Sequence, residues 1–88
     1  LKKPSVSLKT SRKSLTLTFK GAEGRKYQTQ YRWAGKKKWK MQTKLQGAVQ
    51  RKIVRSTRSK GYYLRVRTYS VVNGKKYYSP WSSAMLVK

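Results

Sequence analysis

Two aromatic, β-branched runs meet at Asn73-Gly74, and this junction restricts the fold more than any other stretch. An Asn-Gly pair readily takes the positive φ angles of a tight type I′ turn, so Tyr62–Val72 and the residues after Gly74 are predicted to pair as an antiparallel hairpin. Along the first run Tyr62, Leu64, Val66 and Thr68 alternate with Tyr63, Arg65, Arg67 and Tyr69. At the two-residue period of a strand, one face is mostly apolar and the other is arginine and tyrosine. The first face must be buried; the second carries charge and rings to solvent.

The same period recurs upstream. Pro4 fixes φ and withholds a donor, which suits the entry to an edge strand, and Val6 and Leu8 point inward from Ser5 to Lys9. Leu15, Leu17 and Phe19 form one face of the clearest amphipathic strand, with Thr16 and Thr18 on the other. After a turn at Gly21-Ala-Glu-Gly24, Tyr27, Thr29, Tyr31 and Trp33 alternate against Lys26, Gln28, Gln30 and Arg32, with Thr29 the weak point of the inner face. Ala34-Gly35 breaks that strand. The run resumes over Lys36–Gln42, with Trp39 and Met41 on one side and Lys38 and Lys40 on the other, predicting a second hairpin.

Thr43 to Ser59 is the least regular part. Leu45, Val49, Ile53 and Val54 keep neither a two-residue nor a helical period, and one strand is expected over Ala48–Val54. Ala84 to Val87 is a continuous apolar run, which a bulge near Pro80 would accommodate. No window repeats apolar positions at helical spacing, and turn residues recur every 8–12 residues or so. About seven short strands in one domain spanning residues 1–88 predict an all-β, two-sheet antiparallel sandwich. No apolar run approaches the roughly 18 residues of a membrane-spanning helix, and no charged-then-apolar leader opens the chain, which reads as a mature or excised soluble module.

Charge then decides what such a sandwich can meet. Lys and Arg total 24 against one acid, Glu23, for a formal net charge of +23. Self-repulsion of this size destabilises the folded state and is relieved by salt or by a bound polyanion. An intact apolar pattern with no Asp at all is also what deliberate surface supercharging produces, since that exchanges solvent-facing residues and spares the interior. The chain has no His and no Cys. It therefore offers no paired carboxylates, no metal-ligand cluster, no thiol chemistry and no nucleophile beside a conventional base, so a non-enzymatic protein is expected, without cofactor or small-molecule substrate.

At Tyr62-Tyr-Leu-Arg-Val-Arg, followed by Asn-Gly and Tyr78-Ser-Pro-Trp-Ser82, the sequence resembles a fibronectin type III domain, most closely the Lys-rich versions of bacterial extracellular proteins. The resemblance extends through Leu15-Thr-Leu-Thr-Phe19, Tyr27-Gln-Thr-Gln-Tyr-Arg32 and Lys37-Lys-Trp-Lys40. It implies a seven-stranded immunoglobulin-like sandwich with strands at about 4–9, 14–20, 26–33, 36–43, 48–55, 61–72 and 76–87. It also implies a structural tyrosine corner at Tyr62 and an extracellular, multi-domain origin, where such modules act as spacers, adhesion units or carbohydrate-enzyme accessories. The family's usual strand-B aromatic is represented here by Leu17 and Phe19, and its usual Leu before the corner by Ser56. Tyr78-Ser-Pro-Trp-Ser82 further resembles half of the Trp-Ser-x-Trp-Ser motif of cytokine-receptor modules. By that likeness Trp81 interleaves with Arg65 and Arg67, in a ladder kept short by the missing first Trp.

On this sandwich the outer face of one sheet gathers Lys26, Arg32, Lys38, Lys40, Tyr63, Arg65, Arg67 and Tyr69, a basic stripe with stackable rings. Lys36, Lys37, Lys75 and Lys76 extend it through the turns. Such a surface attracts nucleic acid, heparin-like glycans and acidic proteins through counterion release and can stack unpaired bases, without reading sequence. The plainer expectation is a solvated face in which Arg and Tyr pairs stabilise the sheet and Lys36-Lys-Lys38 merely solubilises a turn. Trp33, Trp39 and Trp81 are expected as core or ladder residues, Tyr77 and Tyr78 as paired strand residues, and the domain as a monomer.

Overall fold

The computed structural model describes residues 1–21, 23–56 and 60–88. Among these described residues eight strands follow one another: β1 (Ser5–Thr10), β2 (Ser14–Lys20), β3 (Lys26–Trp33), β4 (Lys40–Ala48), β5 (Lys52–Ser56), β6 (Tyr62–Val72), β7 (Lys75–Tyr78) and β8 (Met85–Val87). Among the described residues there is no helix. One sheet has the order β1-β2-β5; the other has the order β4-β3-β6-β7, with β8 also on β6. Every pairing is antiparallel.

The two sheets share one apolar core. Leu15, Leu17, Phe19 and Ile53 come from the first, and Tyr27, Leu45, Tyr62, Leu64, Val66 and Val87 from the second. The Phe19 and Tyr27 rings meet between them at 5.4 Å. Alternation along β2 and β6 is kept to the residue: Leu15, Leu17 and Phe19 are buried on one, and Tyr62, Leu64, Val66 and Thr68 on the other. The β6–β7 turn has φ of 51° at Asn73 and 77° at Gly74, the two positive values the dipeptide predicted.

Thr29 holds its place in the core by bonding an irregularity. Pairing of β3 with β4 slips between Gln28 and Gln30, from Gln46 to Met41, so β4 bulges over residues 42–45. The Thr29 hydroxyl donates to the Leu45 carbonyl at 2.7 Å, satisfying an acceptor that the slipped ladder leaves over. At the other end of β6, Gly24 fits where no side chain can: a Cβ there would lie 2.6 Å from Thr68 Cβ and 2.7 Å from the Tyr69 amide nitrogen.

Four expectations need correction. The strand expected at 36–43 begins only at Lys40, because the Trp33–Lys36 turn, closed by Lys36 N–H on the Trp33 carbonyl at 3.0 Å with φ of 83° at Gly35, sends residues 36–39 out as a loop. The single strand expected over 48–54 is two pieces, since β4 ends at Ala48 and β5 starts at Lys52. The chain changes sheets between them, with Val49 N–H donating to the Arg25 carbonyl at 2.8 Å and Phe19 N–H to the Arg51 carbonyl at 2.9 Å. Leu45, Val49 and Ile53 thus sit on unlike backbone, which removes any shared period. The strand expected at 76–87 is interrupted over 79–84, so β7 and β8 are two strands on the same edge of β6. Trp33, expected inside, is 42 % exposed at the end of β3, where its ring lies edge-on to Tyr62. The turn expected at 21–24 and the approach to β6 are described except at 22 and 57–59, which lie outside the described residues.

Candidate functional site

The outer face of the β4-β3-β6-β7 sheet is assembled by register. Across β3 and β6, Arg32 stands opposite Tyr63, Gln30 opposite Arg65, Gln28 opposite Arg67 and Lys26 opposite Tyr69. Gln30 Oε1 accepts from both Nε and Nη2 of Arg65, at 2.9 and 2.5 Å. Gln28 Oε1 accepts from the same two atoms of Arg67, at 3.1 and 3.0 Å. Each guanidinium is thereby held edge-on to its neighbouring strand, leaving its two flat faces free to stack.

Each of the three arginines lies over two rings. Arg32 lies 4.7 Å from the Tyr63 ring and 5.3 Å from Trp39; Arg65 lies 4.3 Å from Trp39 and 4.7 Å from Trp81; Arg67 lies 4.4 Å from Trp81 and 3.9 Å from Tyr78. The order Tyr63, Arg32, Trp39, Arg65, Trp81, Arg67, Tyr78 is a continuous seven-member ladder. Burial and the neighbouring charge of Arg67 lower the pKa of Arg65, which still stays charged at physiological pH. Trp39 arrives from the 36–39 loop, whose Lys36 carbonyl accepts from Arg32 Nη1 at 2.7 Å. Tyr78 stands at the motif position of the missing first Trp and covers Arg67, and Trp39 adds a ring from outside the motif, so the ladder is longer than the Trp-Ser-x-Trp-Ser likeness implied.

Trp81 is aimed by the two serines around it. Ser79 N–H donates to the Thr68 carbonyl at 2.8 Å while its Oγ accepts from Thr68 N–H at 2.9 Å. Ser82 does the same at Val66, with 2.7 and 2.9 Å. In each case a side-chain oxygen replaces the backbone carbonyl of an ordinary antiparallel pair, so residues 79–84 follow β6 without forming a strand. This leaves Pro80 without an unmet demand for a donor and turns Trp81 onto the outer face.

The cations singled out from sequence do not form one patch. Arg32, Arg65 and Arg67 are in the ladder, and Lys26 is exposed on the same face beyond it. Lys36, Lys37 and Lys38 are exposed on the loop. Lys40 stands opposite Tyr31, on the side of the sheet that turns toward the core, so it leaves the stripe in which it was expected. Lys75 and Lys76 open β7 at the hairpin end, with Nζ over Tyr77 at 5.8 Å and over Tyr69 at 5.6 Å. Of the two rings expected in the stripe, Tyr63 lies 4.7 Å from the Arg32 guanidinium and Tyr69 lies 5.5 Å from the Tyr78 ring. Sequence reasoning missed Gln28 and Gln30, whose spacing matches that of Arg65 and Arg67 on the paired strand, and the bridging hydroxyls of Ser79 and Ser82.

No protein-family model matches the chain, and no curated protein matches it.

Proposed function

We propose that this chain is a non-enzymatic, fibronectin type III-like β-sandwich module whose lysine coat binds polyanions by charge, while its arginines stiffen one sheet. The observation that carries this is a division of labour among the cations. Every lysine is exposed; among the described residues only Arg32, Arg65 and Arg67 are partly buried, and these are the three in the ladder. Charges placed for solvent on all sides attract phosphate, sulfate or carboxylate polymers through counterion release, without a preferred sequence. Trp39 and Trp81 each lie between two guanidiniums and add no base-stacking platform, so a glycan and a nucleic acid of equal charge density are expected to bind alike.

The fold assignment within the sandwich class is supported by strand order, by Tyr62 buried at the start of β6 and by the Ser-Pro-Trp-Ser segment lying beside β6. It carries with it an extracellular setting. A second origin is favoured by the same lysines. With every one at a solvent position and none in the core, the chain matches an engineered, positively supercharged scaffold equally well.

Titrating heparin, single-stranded DNA and polyglutamate against the protein from about 50 to 200 mM salt tests the binding. Similar affinities at each salt, all falling steeply with parallel slopes, are expected. One ligand retained in high salt while the others are lost overturns the charge-only account.

A further inference from the structure

The β6–β7 hairpin runs out past the rest of its sheet. Tyr69 is the last β6 residue with a β3 partner, Lys26; from Ser70 onward β6 pairs only with β7. Three more strand residues, at about 3.4 Å each, carry the tip roughly 10 Å beyond β3. Both faces of this projection are accessible. Val71 and Val72 are 49 % and 53 % exposed and Tyr77, opposite Ser70, is 48 % exposed, so three of the nine exposed large apolar side chains among the described residues lie on it. Register puts Val71 opposite Lys76 and Val72 opposite Lys75, so each face of the tip carries a β-branched side chain beside a lysine.

We infer that this tip is a docking element for anionic lipid bilayers, entering the headgroup region while the lysine coat faces the charged surface. Three observations select this occupant. The apolar side chains occupy both faces of a narrow projection, which suits immersion and leaves no single flat patch for a protein partner. Tyrosine is a side chain of the membrane–water interface, and lysines with flexible apolar stems keep their charge among headgroups while the tip enters. The reach of roughly 10 Å matches the 5–10 Å or so to which interfacial elements penetrate. Around the base, Arg25 and Lys26 add cations, and Glu23 is the chain's one acid, so charge complementarity points to phosphatidylserine-like headgroups.

Because the chain has no cysteine, a single one can report the contact. Val72→Cys carrying an environment-sensitive fluorophore is mixed with phosphatidylserine/phosphatidylcholine vesicles, with pure phosphatidylcholine vesicles, and with heparin. Arg12→Cys, in the β1–β2 turn at the opposite end, is the control. The expected result is a blue shift and brightening at Val72→Cys with anionic vesicles alone, and none at Arg12→Cys. In parallel, Val71→Ser/Val72→Ser/Tyr77→Ser, at positions exposed to solvent, should lose about ten-fold or more of vesicle partitioning in 0.5 M salt and change heparin affinity less than about two-fold. Equal responses at both labelled sites, the same shift with heparin, or full vesicle retention by the triple variant overturns the inference. Heparin binding persisting alongside any of these leaves the charge-coat proposal standing, so the two fail separately.

Discussion

Thr29 and Thr68 are both fully buried on the core face of the same sheet, but their hydroxyls meet different fates. Thr29 Oγ1 bonds the Leu45 carbonyl, whereas Thr68 Oγ1 finds no partner among the described residues. Valine has nearly the same shape without the oxygen, so the two substitutions should differ in sign. Thr29→Val orphans a buried acceptor and is expected to cost about 1–3 kcal/mol; Thr68→Val removes an unpaid desolvation and should be neutral or stabilising by up to about 1 kcal/mol. Urea midpoints at unchanged slope check both. Tyr27 supplies a pH test. Its buried hydroxyl also lacks a partner among the described residues, and burial raises its pKa above the ordinary 10.0, against a smaller opposite pull from Arg55. The folded state therefore holds this proton more tightly than the unfolded chain. Its contribution is intact below about pH 10 and is lost as pH rises through the raised folded value. Tyr27→Phe should flatten the fall in stability above about pH 10 relative to the parent; curves that stay parallel there contradict it.

Elements were legible where a strand keeps one period and ends in a committed turn. β2, β3 and β6 show their buried faces in sequence, and Asn73-Gly74 announces its turn. β4 and β5 do not, because the bulge at 42–45 and the change of sheet at 49–51 each reset the count of inward positions. The ladder was legible in part. The interleaving of Trp81 with Arg65 and Arg67 was implied by the likeness of Tyr78-Ser-Pro-Trp-Ser82 to the cytokine-receptor motif, but Trp39 enters from a loop whose path is fixed by Gly35 and by the Arg32 bond to Lys36, neither of which leaves a periodic trace. That makes Trp39 the informative position to remove. Trp39→Ala deletes one ring from between Arg32 and Arg65, and with it two cation–π contacts of roughly 0.5–1 kcal/mol each. A loss of stability on the order of 1–2 kcal/mol is expected. A double-mutant cycle with Arg65→Ala should give a coupling of about 0.5–1 kcal/mol, and zero coupling would mean that the contact contributes nothing.

As a whole, the molecule carries +23 with one acid to set against it, and Glu23 spends a carboxylate oxygen on the backbone N–H of Lys2 at 3.0 Å. Its stability must therefore respond to the ion atmosphere more than to any single pair. Raising salt from 0.01 to 1 M shortens the screening length from about 30 to 3 Å, and thermal midpoints should climb by on the order of 5 °C or more. A midpoint that falls over that range would show that salt weakens something larger than the repulsion it relieves. The two serines beside Trp81 matter at this scale as well. A free sheet margin is where one copy of a chain recruits strands from the next, and fibrils grow from such templates. Along the middle of β6 the amide hydrogens of Val66 and Thr68 are already taken by Ser82 and Ser79. Between β7 and β8 the chain closes that flank of β6 with hydroxyl groups, so concentrated protein finds no bare β6 margin to lengthen there.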